Sequence, residues 1–221
     1  MTIPAPDPAP DDPAVHPAVV PDRAAVPEDA TTADTTRPAG RRRVVLLASL
    51  AGAIVVLDLI TKIIAVATLT PGVSERVLGG LVYFSLIRNP GAAFSLATGM
   101  TWILAVVATI VVIVIIRMAP RLRSTPWSVC LGLILGGAVG NLIDRIFRAP
   151  GFMQGHVVDF VSVFGPNAEY FPIFNVADSA ITVGGITLVV IALMGIDFDG
   201  TRVPGRRRRR EQEAAGGSSD A

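Results

Sequence analysis

The chain has 221 residues, 51% of them hydrophobic and 17% charged, with a formal net charge of +1 and a mean hydropathy of +0.58. Two histidines and one cysteine argue against a zinc cluster or a disulfide framework, so no metal or other cofactor is expected. The near-zero net charge is uninformative by itself; where the charges sit carries the information.

Residues 1–43 make the first region. Positions 1–40 hold nine prolines, seven acids and two arginines with few large apolar groups. Such a segment cannot bury enough surface to offset its ordering entropy, and a disordered tail is expected. It ends in the basic run Arg41-Arg42-Arg43.

Residues 44–196 hold four runs long and apolar enough for a bilayer core of ~30 Å. They are Val44–Ala67, Thr101–Met118, Trp127–Phe147 and Ala177–Ile196. Each is apolar nearly all round, where a soluble helix would carry charge on one face. The expected architecture is an all-α membrane protein, a four-transmembrane-helix bundle with a small β-rich element outside it. Arginines cluster before the first run, between the second and third (Arg117, Arg121, Arg123) and after the fourth (Arg202, Arg206–Arg210). The positive-inside rule then puts both termini in the cytoplasm and segments 68–100 and 148–176 on the other side. The tail 197–221 reads as basic and solvated. Its arginine run suits anionic lipid better than nucleic acid, because it follows a span closely.

The first run carries "LDLITK". Asp58 and Lys62 are four apart and share a helix face. At ~1.5 Å per residue Asp58 lies ~21 Å from Val44, in the outer third of the bilayer. A cleaved signal sequence would not contain this pair, so the run reads as a permanent helix. An ion pair with a snorkelling lysine and a role in a site both remain open.

In the outer loop between the first two runs, Leu81–Arg88 reads as a strand and Asn89-Pro90-Gly91 as a turn. The third run carries "GLILGGAVGNLIDR". Gly132, Gly136 and Gly140 at four-residue spacing permit close helix approach. Gly137, Asn141, Asp144 and Arg145 gather near its outer end, with Asp144 and Arg145 read as a helix-end charge pair. "GHVVDFVSV" alternates weakly and sets Asp159 among Val157, Val158, Phe160 and Val161. Either Asp159 is a polar loop residue or it is buried at considerable cost. "FNVADSAI" brings Asn175 and Asp178 to the head of the fourth run, where Asp178 caps the helix or serves a site. Ser95 and Ser179 lie near the same face without a histidine or an evident lysine base, which disfavours serine hydrolysis. His156 reads as a loop residue and Cys130 as a packing residue.

Taken together, "DLITK", "RNPGAAFS", "GGAVGNLIDR", "VVDF" and "FNVADSAI", in this order and in these spans, resemble the bacterial lipoprotein signal peptidases, also called signal peptidase II. The resemblance covers about residues 44–196 and leaves both tails out. It implies an aspartic protease of the cytoplasmic membrane that cuts a prolipoprotein immediately before its diacylglyceryl-modified cysteine. It also implies which acids act: Asp159 and Asp178 as the catalytic pair, a choice that spacing alone does not make. Asn89, Gly91, Gly137, Asn141, Arg145, Asn175 and Ala177 match positions that line or support the site, and Asp58 and Lys62 match a structural pair. The implied partners are diacylglyceryl-prolipoproteins and membrane lipid, with no nucleic acid, and a monomer is expected. The loop "RAPGFMQG" (148–155) is one place where substrate access would be particular to this chain. The alternative from a different class is a small proton-coupled transporter or a membrane chaperone. A transporter would put its ionisable groups near the midplane and often carry an internal repeat. Here the groups lie to one side and no repeat is evident.

Overall fold

The computed structural model describes residues 37–91 and 101–201. Residues 1–36 and 202–221 and Ser95, together with the end of "RNPGAAFS", lie outside the described residues. Four helices are long and apolar enough to cross a membrane. They are α1 (Arg37–Thr68), α2 (Thr101–Met118), α3 (Thr125–Phe147) and α4 (Val176–Leu193). Three strands, β1 (Ser74–Val77), β2 (Val82–Asn89) and β3 (Val157–Val163), form one antiparallel sheet in that order. A mostly helical chain with four spans and a small sheet is therefore what the sequence leads one to expect.

The ends differ informatively. At ~1.5 Å per residue the 32 residues of α1 span ~48 Å, more than the ~30 Å core. Arg41–Arg43 accordingly lie inside the helix rather than ahead of it. α3 opens at Thr125, two residues early, with Pro126 in its first turn, where a missing N–H costs nothing. β2 runs from Val82 to Asn89, shifted by one residue from the expected strand. β1 was not anticipated.

α3 packs against each of the other three helices, and small residues make this feasible. Along one side a Cβ on Gly132 would lie 3.1 Å from Leu47 O, and one on Gly136 2.9 Å from Ala51 O. On another side a Cβ on Gly137 would overlap the carbonyl oxygen of Ala177. Glycine is thus what lets α1 and α4 approach α3 closely. The faces turned away from the bundle carry exposed Val56, Ile63, Ile113, Ile116, Val183 and Leu193. Such surfaces suit lipid as solvent.

One apolar cluster, with Leu47, Ile115, Leu122, Cys130, Leu131 and Ile191, closes one end of the bundle. Trp127 joins it, donating from Nε1 to Ile196 O at 3.0 Å and meeting the Phe198 ring at 5.3 Å. The other cluster, with Ala65, Leu86, Val158 and Phe160, seats the sheet against the opposite end of α1.

Two details of the sheet position the site. The pairing of β2 with β3 slips between Phe84, opposite Val161, and Ile87, opposite Asp159. Three steps on β2 thus match two on β3, a one-residue bulge. On the far side of β3, Val161 and Phe174 exchange backbone hydrogen bonds, each 2.9 Å. This bridge brings the chain just ahead of α4 alongside Asp159.

Candidate active site

Asp159 is buried within β3, and Asp178 sits half-buried in the first turn of α4. Both line one open cavity of about 950 Å³. Each carboxylate is held by amides. Asn89 Nδ2 donates to Asp159 Oδ2 at 2.7 Å, and Asn175 Nδ2 donates to Asp159 Oδ1 at 2.7 Å. Asn141 Nδ2 donates to Asp178 Oδ1 at 2.7 Å, and the backbone N–H of Asn175 donates to Asp178 Oδ2 at 3.2 Å. Asn175 therefore touches both acids, while its own Oδ1 accepts from Asp178 N at 2.9 Å. The two readings of Asp178 are not rivals: the residue completes a capping box and faces the cavity as well.

Burial pushes the Asp159 carboxyl up to about 7, and the nearby Asp178 charge adds to the effect. The hydrogen bonds from Asn89 and Asn175 and the more distant Lys62 charge pull the other way. Desolvation wins because amide donors are neutral and replace the hydration of the charged form only in part.

A layer of charge lies behind the amides. Lys62 is fully buried, which corrects the snorkelling alternative. Its Nζ lies 2.7 Å from Asp58 Oδ2, 2.9 Å from Asp144 Oδ2 and 3.0 Å from Asn141 Oδ1. Asp58 also accepts the backbone N–H of Ala177 at 3.0 Å, so α1 pins the first turn of α4. Asp144 pairs with Lys62 and Arg148, not with Arg145 as the sequence suggested, and its Oδ2 accepts from Val158 N at 3.1 Å. The physical reason is helix geometry: Arg148 is one turn on from Asp144, whereas Arg145 is its immediate neighbour and points elsewhere. Arg145 lines the cavity and donates to Asn141 O at 3.3 Å.

The residues singled out in sequence thus divide in two. Asn89, Gly91, Arg145, Asp159 and Asp178 line the cavity. Asn141, Asn175, Ala177, Gly137, Asp58 and Lys62 stand behind it. Gly91 is buried at φ 116°, and its N–H donates to Asn89 Oδ1 at 2.8 Å, which orients the amide that holds Asp159. Asp144 is an addition to this second set; it lies three residues after Asn141, a spacing that puts both on one helix face. The loop 148–155 lines none of this cavity. Instead Gly155 packs against the end of α3, with its N–H on Arg145 O at 2.9 Å. The wall comes from 168–174, including Tyr170 and Phe171, and from Ser179, Thr182 and Val183 of α4. Ser179 donates to Asn175 O at 3.0 Å, the bond of an ordinary helical serine. Among the described residues no group of three or more His, Cys, Asp or Glu has metal-ligand geometry.

The model of the family described as signal peptidase (SPase) II matches residues 50–194, which contain every site residue named above. The chain belongs to the signal peptidase II family. It is therefore a peptidase of bacterial membranes. A lipoprotein signal peptidase of Rhodococcus jostii (strain RHA1) is 53% identical over 175 residues, 79% of this chain and 86% of that one. Another, of Mycobacterium avium (strain 104), is 49% identical over 79% of this chain and 93% of its own. Two solved structures, each described as a bacterial membrane enzyme, superpose with a TM-score of 0.57 at 31% identity. They cover 65% of this chain and 85% and 90% of their own.

Proposed function

We propose that this signal peptidase II family member is an aspartic endopeptidase that removes the signal peptide from diacylglyceryl-modified prolipoproteins, cutting just before the lipidated cysteine. Asp159 and Asp178 are its catalytic pair. The observation that carries the reading is that these two acids, from different elements, face one cavity and are tied together by a single side chain, Asn175.

Two neighbouring carboxyl groups resist ionising together, so the pair retains one proton. Below about pH 7 that proton resides on Asp159, in keeping with its raised value. Asp178 accepts a proton from water as the water oxygen attacks the scissile carbonyl carbon, and Asp159 donates to the carbonyl oxygen. A geminal diol results. On its collapse the C–N bond breaks, the proton held by Asp178 passes to the leaving nitrogen, and a diol hydroxyl returns a proton to Asp159. Arg145 is free to orient substrate carbonyls at the rim, a positioning contribution.

In this reading both termini are cytoplasmic and the site lies near the extracytoplasmic face, level with a cysteine anchored by two acyl chains. Residues 44–196 are the catalytic domain and the flanking regions are cytoplasmic tails. The protein acts as a monomer without a cofactor. Purified protein in detergent, mixed with a lipid-modified precursor and followed on a gel, tests the reading. Asp159→Asn and Asp178→Asn each leave the precursor uncut. Cleavage at the normal rate by both variants overturns the assignment.

A further inference from the structure

A second cavity, of about 430 Å³, lies at the other end of α3. Ser124 precedes Asn141 by 17 residues on the same helix, which at ~1.5 Å each separates the two by ~25 Å. Its lining includes Arg43 of α1, Arg123 and Ser124 at the start of α3, Thr125, Asp199 and Gly200.

Three observations indicate what it takes. First, Ser124 is the N-cap of α3, yet its side chain caps nothing. Its Oγ is buried without a partner among the described residues, and the residue is only 3% exposed. The backbone around it is fully engaged: Ser124 N donates to Phe198 O at 3.3 Å, and Ser124 O accepts from Ser128 N at 3.1 Å and from Ser128 Oγ at 2.7 Å. The hydroxyl alone is spare, and an unsatisfied buried hydroxyl is costly. Second, Arg43 Nε is likewise buried without a partner among the described residues. Third, the first-turn N–H groups of Thr125 and Trp127 lie at the positive end of a 23-residue helix with no side-chain cap. Among the described lining residues Asp199 is the one acid, and it already accepts from Thr201 N at 2.8 Å and Thr201 Oγ1 at 2.7 Å.

Spare donors from a hydroxyl, a guanidinium and a helix N-terminus call for one multidentate anion. We infer that this cavity is a binding site for a phosphate group, either that of an anionic phospholipid headgroup or free inorganic phosphate. It is distinct from the peptidase site and independent of the reading given for it.

The test uses the full-length protein, purified and delipidated in a maltoside detergent, with thermal unfolding as the readout. One arm titrates inorganic phosphate against chloride at constant ionic strength. The other titrates short-chain phosphatidylglycerol against short-chain phosphatidylcholine. A variant with Arg206–Arg210 replaced by glutamine separates this cavity from the basic tail. The expected result is a saturable rise in Tm in at least one arm, retained in the tail variant. Arg43→Gln weakens the apparent Kd about tenfold, the size of one charge-assisted contact. Ser124→Ala weakens it in the same direction and serves as the comparison should Arg43→Gln fail to fold. Precursor cleavage is unchanged in either variant. A response to phosphate alone identifies the free anion; a response to phosphatidylglycerol, with or without one to phosphate, identifies the headgroup. No saturable rise in either arm, or the same midpoint in wild type and in both variants, overturns the inference.

Discussion

Asn175 and Asp178 each accept the other's backbone N–H, at 2.9 Å and 3.2 Å respectively. The helix start that this exchange creates also fixes how Asp178 meets the cavity, so cap and proposed chemistry are separable only by choice of substitution. Asp178→Asn keeps an oxygen able to accept from Asn175 N, whereas Asp178→Ala does not. Both variants are expected to lose cleavage, but the alanine variant, which also gives up the bond from Asn175 N, should unfold more readily than the asparagine variant, by about 1 kcal/mol. Equal Tm values for the two variants in detergent would refute the dual role.

The raised carboxyl of Asp159 sets a pH dependence. Its folded value of about 7 exceeds the ordinary 3.8, so between these values the native state binds more protons than the unfolded one. Stability contributed by this group is present in acid and is lost as pH rises from about 4 to about 7, in total about 4 kcal/mol at 1.36 kcal/mol per pH unit. Asp159→Asn removes the titration, so its Tm advantage over wild type is expected to grow over that window and to level off above it. Cleavage by the wild type is expected to decline above about pH 7 as the pair gives up its proton. A Tm difference that stays constant from pH 4 to 8 contradicts this account.

Lys62 faces Asp58, Asp144 and Asn141 with no access to solvent. Lys62→Met leaves buried Asp58 without a cation and Asp144 with Arg148 alone, and the expected loss is about 3–5 kcal/mol. Asp144→Asn is milder, since an amide oxygen still accepts from Val158 N; it should lower Tm more than it lowers turnover. Full Tm with no turnover in Asp144→Asn would move that residue from support to chemistry.

Gly137 and Gly52 form a matched pair of tests. A Cβ on Gly137 meets Ala177 O, while one on Gly52 meets nothing within 4 Å. Gly137→Ala must push α4 from α3, at a cost of about 1–3 kcal/mol, and it displaces Asp178 with the helix. Reduced Tm and reduced cleavage are expected for Gly137→Ala and neither for Gly52→Ala; a neutral Gly137→Ala would show that α4 shifts without consequence.

The spans were legible because a continuous apolar run of some twenty residues has few other fates, and β2 was legible because a turn signal, Asn89-Pro90-Gly91, follows it. β1 was not, since four residues with two exposed charges, Glu75 and Arg76, carry no apolar period; pairing with β2 alone makes them a strand. The Asp58–Lys62 contact followed from helix spacing. Its burial did not, because spacing within one helix is silent about which neighbour covers the shared face. The partner of Asp144 was lost for the same reason: Lys62 is 82 positions away, and only the packing of α1 on α3 joins them. Which acids lie on one cavity came from resemblance to a family, and the bridge from Val161 to Phe174 is the local structure that brings them there.

The bulge in β2 has a consequence for how this chain can vary. Side chains alternate along a strand, so the surplus residue between Phe84 and Ile87 reverses which of them look toward Asp159. Past that point Ile87 lies opposite Asp159, and Asn89, two further on, shares its side and reaches the acid. Past the surplus residue no such allowance is left: removing Arg88 would make Asn89 the neighbour of Ile87 and turn it to the opposite face, with no change in the identity of any site residue. The distance in sequence between Ile87 and Asn89 is therefore constrained by parity alone, whichever residue stands between them.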